Sequence, residues 1–286
     1  MKRIIYFIEF IVIRLFFTVC ILLGYKFSSN LGFYIGKTFG NIFRKKKSII
    51  QNLKKSKISI DFSDNIFAQN VLGNYGRILA EYPFLKDFRN NNLSNFIQID
   101  GVDNLDKIKK NNKPVVFISG HFNNFELMAM QIEKSGIDLA TIYRPLNNFF
   151  LNKSMENIRT NYICKNQIKK GRSGTRQILE NLKKGNSIAL MIDQRVTEGI
   201  KINFFGDLAS TTTIPSQIIK KYKCDLVPIY IERVKKCYFK MYVSQPIKIN
   251  SEKSNEEISI HLNKILEKMI LKNPDQWIWT HDRWRK

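Results

Sequence analysis

The stretch VVFISGHFNNFELMAMQ, residues 115–131, carries the side chains best suited to chemistry. Val115 to Ser119 reads as a buried strand, preceded by Pro114 and stopped by Gly120. A helix is expected immediately afterwards, over residues 123–135. In open α/β sheets, ligand sites form beyond the carboxyl ends of the strands, so His121 is expected at the edge of a cleft. Glu126 follows five residues later, about one turn into the expected helix, where its carboxylate can reach back to the imidazole. A neutral imidazole can take the proton of a hydroxyl as its oxygen attacks a thioester. A carboxylate on the other ring nitrogen fixes the tautomer and stabilises the imidazolium that forms. Backbone N–H groups at the helix N-terminus can hold an oxyanion or a phosphate. His121 and Glu126 are therefore the catalytic candidates. The spacing alone is common, and the strand-Gly-His-helix context is what gives it weight.

Other candidates lie at equivalent places. Arg144 follows the expected strand Asp138 to Tyr143, and its planar guanidinium suits a phosphate, although a surface ion pair would use it equally well. Asp193 and Gln194 end a second buried strand, Ser187 to Ile192. An aspartate there can orient a basic residue or a substrate hydroxyl, or serve only as a structural cap. Arg172 is a further substrate-binding candidate, and Arg176 a weaker one. Phe204 to Gly206 read as a turn near the site. Trp277, Trp279 and Trp284 are expected to pack on the core. His281 is expected to be structural, and His261 to lie on the surface. The four cysteines are widely spaced, with no CxxC and no Cys/His cluster, which argues against a zinc site and a disulfide framework. No nucleotide, flavin or metal motif is present, and no cofactor is expected.

The elements that must position these residues alternate. Residues 64–89, 149–162, 175–184, 214–222 and 255–271 read as helices. Strands are expected at 95–100, 225–232 and 236–244, besides those already named. The pattern implies an α/β fold, a mostly parallel central sheet flanked by helices.

Residues 4–23, IIYFIEFIVIRLFFTVCILL, form an apolar run about one bilayer long, interrupted only by Glu9 and Arg14. No small-residue cleavage site follows. Residues 1–25 are therefore expected to be a membrane anchor, spanning or lying in the interface, and residues 26–286 one globular domain. The basic cluster Arg44 to Lys47, with Lys54, Lys55 and Lys57 after it, suits an anionic membrane surface. The formal charge of +23 fits nucleic acid, an anionic membrane or an acidic partner. Without a nucleic-acid-binding signature, the membrane is favoured.

The segment from His121 to Glu126 resembles the H-x4-D/E block of lipid acyltransferases. In its Glu form it is similar to the bacterial lipid A secondary acyltransferases of the lauroyl and myristoyl type. YRPLNN (143–148), NLKKG (181–185), MIDQR (191–195), NFFGDLASTTT (203–213), LVPIY (226–230) and NPDQWIWTHDRWRK (273–286) follow in the order that family has. The resemblance covers nearly the whole chain. It implies His121 as general base with Glu126 as its partner, and acyl carrier protein as the acyl donor. It also implies a lipid A precursor of the Kdo2-lipid IVA type as acceptor, and the cytoplasmic face of the bacterial inner membrane as the place of work. An acyltransferase acting on a glycerophospholipid shares the block but usually carries Asp in place of Glu126. A non-catalytic membrane-surface scaffold is the reading from another class.

Overall fold

The computed structural model describes residues 2–250 and 252–285, the side chain of Arg172 excepted. Among the described residues nine strands are present: β1 Ile97–Asp100, β2 Val116–Ser119, β3 Leu139–Tyr143, β4 Asn166–Lys169, β5 Ser187–Met191, β6 Ile200–Phe204, β7 Asp207–Thr211, β8 Leu226–Lys235 and β9 Tyr238–Val243. Seven of them form the central sheet in the order β1-β9-β8-β2-β5-β3-β4. Every neighbouring pair is parallel except β8 and β9, a hairpin that turns through Lys236. The sheet is thus mostly parallel, as the alternating pattern implies. β2 lies between β5 and β8 and is buried at all four positions, the burial that an uninterrupted apolar run requires. β6 and β7 make a separate antiparallel hairpin. Only its turn was expected: Phe205 and Gly206 both have positive φ, the geometry of a tight two-residue hairpin connection.

The helices are α1 Lys2–Leu23, α2 Tyr25–Phe43, α3 Lys46–Ser56, α4 Asp64–Glu81, α5 Leu85–Arg89, α6 Val102–Asn111, α7 Glu126–Lys134, α8 Phe149–Ile158, α9 Arg172–Lys183, α10 Ile214–Tyr222 and α11 Asn255–Lys272. The expected helix over 64–89 is divided, because Pro83 lacks an N–H and falls in a 3-10 turn between α4 and α5. The expected helix over 149–162 is regular to Ile158 and then widens into a π-turn, Arg159–Ile163. Ser254 and Glu257 close a reciprocal cap at the start of α11.

A buried ion pair ties α4 to the sheet. Arg233 on β8 grips the Glu81 carboxylate with two nitrogens, at 2.7 and 3.0 Å. Ser29 of α2 donates to the same carboxylate at 2.6 Å, so three elements meet on one charge. Such a pair adds little over an apolar replacement, but removing one partner strands the other. Arg233→Met is therefore expected to cost roughly 3–5 kcal/mol, because it leaves Glu81 buried without its cation. Denaturant unfolding in mild detergent measures this loss.

Candidate active site

β2 and β5 are adjacent and parallel, with Ser119 opposite Met191. Two residues beyond each strand end come His121 and Asp193, and the register brings them face to face. The His121 Nδ1 lies 2.8 Å from Asp193 Oδ1, and the His121 backbone N–H donates to Asp193 Oδ2 at 2.8 Å. The indole Nε1 of Trp277 donates to the same Oδ2 at 2.9 Å. Asp193 is fully buried, while the His121 side chain keeps 20% of its surface exposed. An anionic acceptor at Nδ1 fixes that nitrogen as the protonated one. Among the described residues no group hydrogen-bonds Nε2, which is left as the basic nitrogen.

The pair shifts its own ionisation. Burial by itself would depress the imidazole pKa, but the charge and hydrogen bond of Asp193 outweigh it, and His121 is held above 6.5. Burial likewise opposes ionisation of Asp193, yet the imidazole and the donors around it hold this carboxyl below its ordinary value.

Glu126 does not reach the imidazole. The residues between them are not helical: Phe122 bridges to Trp277, Asn123 has a φ of 43°, and α7 begins only at Glu126. The carboxylate points instead at two stronger partners. Arg159 donates to its Oε1 from Nε at 2.9 Å and from a terminal nitrogen at 2.8 Å, and the Tyr82 hydroxyl donates at 2.8 Å. Burial would lower the Arg159 pKa, but Glu126 and Tyr82 together outweigh it and hold the guanidinium above its ordinary value. Glu126 is near enough to raise the His121 pKa, which Arg159 lowers in turn. The expected His121–Glu126 contact is thus replaced by His121–Asp193 and Glu126–Arg159.

The sequence could not signal Arg159, which meets Glu126 across 33 positions and only through the π-turn. Trp277 was expected in the core, where it lies, but its hydrogen bond to Asp193 was not foreseen. The segment carrying it is clamped by the β6–β7 hairpin. Arg283, with no exposure, donates to the Ser210 carbonyl at 2.7 Å and to Thr211 Oγ1 at 2.8 Å. Burial pushes the Arg283 pKa down to about 10. Trp284 Nε1 donates to the Phe204 carbonyl at 3.1 Å. His281 accepts the Arg195 N–H on Nε2, and burial keeps its pKa low, as suits a structural histidine. His261 is half-buried on α11.

A small open cleft lies beside the imidazole, lined mainly by the apolar parts of Val71, Tyr75 and Ile78 of α4 with Phe125, Trp277 and Ile278, and with Asn74, Asn123 and Gln276 among them. Arg144 is exposed at the end of β3, and among the described residues it forms no ion pair. Gln194 is half-buried next to Asp193. Arg172 opens α9, and its side chain lies outside the described residues. The four cysteines are buried free thiols, and no group of metal-ligating side chains occurs among the described residues.

The family described as "Bacterial lipid A biosynthesis acyltransferase" matches residues 1–286. The chain is similar to a lipid A biosynthesis palmitoleoyltransferase of Escherichia coli (strain K12), 24% identical over 270 residues, covering 92% of this chain and 86% of that protein. It is similar to the same extent to a lipid A biosynthesis acyltransferase of Shigella flexneri. A second such enzyme of Shigella flexneri, lipid A biosynthesis acyltransferase 2, is 22% identical over 188 residues, 63% of this chain and 58% of that one.

The chain has three histidines, each in a different electrostatic setting. Burial and the neighbouring Lys253, Lys264 and Lys268 lower the His261 pKa, and burial lowers that of His281. An NMR titration of histidine-labelled protein is expected to give one resonance titrating above about 6.5 and two below it. The high one should disappear in His121→Gln.

Proposed function

The chain belongs to the bacterial lipid A biosynthesis acyltransferases, and we propose that it moves a fatty acyl chain from acyl carrier protein to a hydroxyl of a Kdo2-lipid IVA-type precursor, with His121 as general base. The observation that carries this reading is the 2.8 Å contact between His121 Nδ1 and the buried Asp193 carboxylate. It leaves Nε2 as the basic nitrogen at the cleft. In the proposed reaction, Nε2 takes the proton of the acceptor hydroxyl while the oxygen attacks the thioester carbonyl. Asp193 stabilises the imidazolium as the tetrahedral intermediate forms. The carbon–sulfur bond then breaks, the imidazolium returns its proton to the departing thiolate, and an ester and a free thiol remain.

Glu126 acts one step back in this account. It holds Arg159 by two hydrogen bonds, and that guanidinium is near enough to lower the His121 pKa, which makes it a candidate for a substrate phosphate. Arg144, with no ion pair among the described residues, is a second cation for the anionic substrates, and Arg172 and Gln194 complete the proposed binding set. The net charge of +23 supports association with an acidic carrier protein and with a phosphorylated lipid. Helix α1 is 22 residues long and apolar enough to cross a bilayer, which supports residues 1–25 as an anchor. Work at the cytoplasmic face of the inner membrane is part of the proposal, because the proposed donor is acyl carrier protein.

The test is mass spectrometry of Kdo2-lipid IVA after incubation with purified protein and a panel of acyl carrier protein thioesters, palmitoleoyl included. One added acyl chain is expected, with the rate of His121→Ala reduced at least about 10³-fold. Transfer to lysophosphatidate in place of Kdo2-lipid IVA would contradict the acceptor, and full activity of His121→Ala would contradict the base.

A further inference from the structure

α2 is built with its large apolar side chains facing out. Ser28, Ser29, Gly32 and Gly36 are the buried residues of its middle, and Gly40 meets the Leu72 side chain. This small-residue face lies directly against α4: a Cβ on Gly32 or Gly76 would collide with the carbonyl oxygen of the other, and one on Gly36 with the Leu72 carbonyl. The two backbones are as close as the absence of side chains permits. The rest of the α2 surface carries Phe27, Tyr34, Ile35, Phe39, Ile42 and Phe43, all exposed, the last two at 76% and 79%. A water-facing helix normally has the reverse arrangement, so this face is expected to have a cover.

The charges identify the cover. From Phe10 to Ile60 the chain has ten charged residues: Arg14, Lys26, Lys37, Arg44, Lys45, Lys46, Lys47, Lys54, Lys55 and Lys57. None is acidic. Lys54, Lys55 and Lys57 have distant partners at 3.8–4.0 Å, whereas the run Arg44 to Lys47 has no ion pair among the described residues. A second copy seated on this face would bring like charges together, which disfavours association. Anionic lipid headgroups would meet every one of them with the opposite sign.

We propose that α2 is a second membrane-contacting element, lying in the interface of an anionic phospholipid bilayer with Phe39, Ile42 and Phe43 immersed and Lys26, Lys37 and Arg44 to Lys47 at the headgroups. α2 does not cross the bilayer, because its polar side, with Lys26, Asn30, Lys37 and Asn41, would be stranded in hydrocarbon. The contact also sets the distance of the chemistry from the lipid. α4 lines the cleft with Val71, Tyr75 and Ile78 and packs against α2 through Gly73 and Gly76, so one helix separates the imidazole's cleft from the bilayer surface. The inference rests on the reading that the protein works at a membrane, and it adds which surface meets the lipid.

Because the native cysteines are buried, single cysteines introduced at exposed positions can be labelled selectively. Phe39→Cys and Ile42→Cys, with Leu15→Cys in α1 and Lys183→Cys on α9 as references, would carry an environment-sensitive fluorophore. The full-length protein would be bound to vesicles containing phosphatidylglycerol and spin-labelled lipid. Quenching at 39 and 42 comparable to that at 15, with none at 183, is the expected result. Labels at 39 and 42 that stay open to aqueous iodide while position 15 is quenched would overturn the proposal. So would labels shielded from both quenchers, which would mean a protein cover, or failure of the protein to float with the vesicles. The readout is the depth of α2, so either result is independent of acyl transfer.

Discussion

A fully buried carboxylate without hydrogen-bond donors would be among the most unfavourable groups in the molecule, and the site is organised around preventing that at Asp193. Its two oxygens receive the His121 backbone N–H, the Trp277 indole N–H and the imidazole Nδ1. The donors come from two distant parts of the chain, two from His121 and one from Trp277. β2 and β5 deliver His121 and Asp193 because they are neighbours in parallel register. Trp277 arrives from the C-terminal segment, which Arg283 and Trp284 fasten to the β6–β7 hairpin. The late chain is thus a structural requirement of a site that the early chain begins.

The same logic separates the roles of two acidic residues that look interchangeable in sequence. Asp193 faces the imidazole and, among the described residues, forms no ion pair with an arginine. Glu126 faces Arg159 and Tyr82, so its charge fixes a cation. One carboxylate holds an imidazole that lines the cleft, and the other holds a guanidinium.

Much of this was legible in the sequence, and the exceptions have specific causes. The buried strands read clearly because β2 and β5 are flanked by other strands and carry unbroken apolar runs. His121 and Asp193 were both placed at strand ends, and an aspartate orienting a basic residue was among the open roles for position 193. Their contact depends on which strands become neighbours, and local periodicity does not encode strand order. Glu126 was misplaced because the helix was expected to start at 123, whereas Asn123 adopts a left-handed backbone and Phe122 bridges to Trp277. The β6–β7 hairpin was read only as a turn, since its tip, Phe-Gly, lacks the usual Asn-Gly signal. α2 escaped notice as an element because its apolar residues do not mark a core face.

Asp193, not Glu126, is the carboxylate in contact with the His121 imidazole, and it should therefore be the one that sets its basicity. The most direct measurement compares the pH dependence of kcat/KM for the wild type, Asp193→Asn and Glu126→Gln. Activity should rise with pH as the imidazole loses its proton, and the raised His121 pKa puts that rise above about pH 6.5 in the wild type. Asp193→Asn should move the rise to lower pH and reduce the plateau. Glu126→Gln should act mainly on substrate affinity and move the rise much less. A profile that shifts strongly in Glu126→Gln and stays in place in Asp193→Asn would contradict the account.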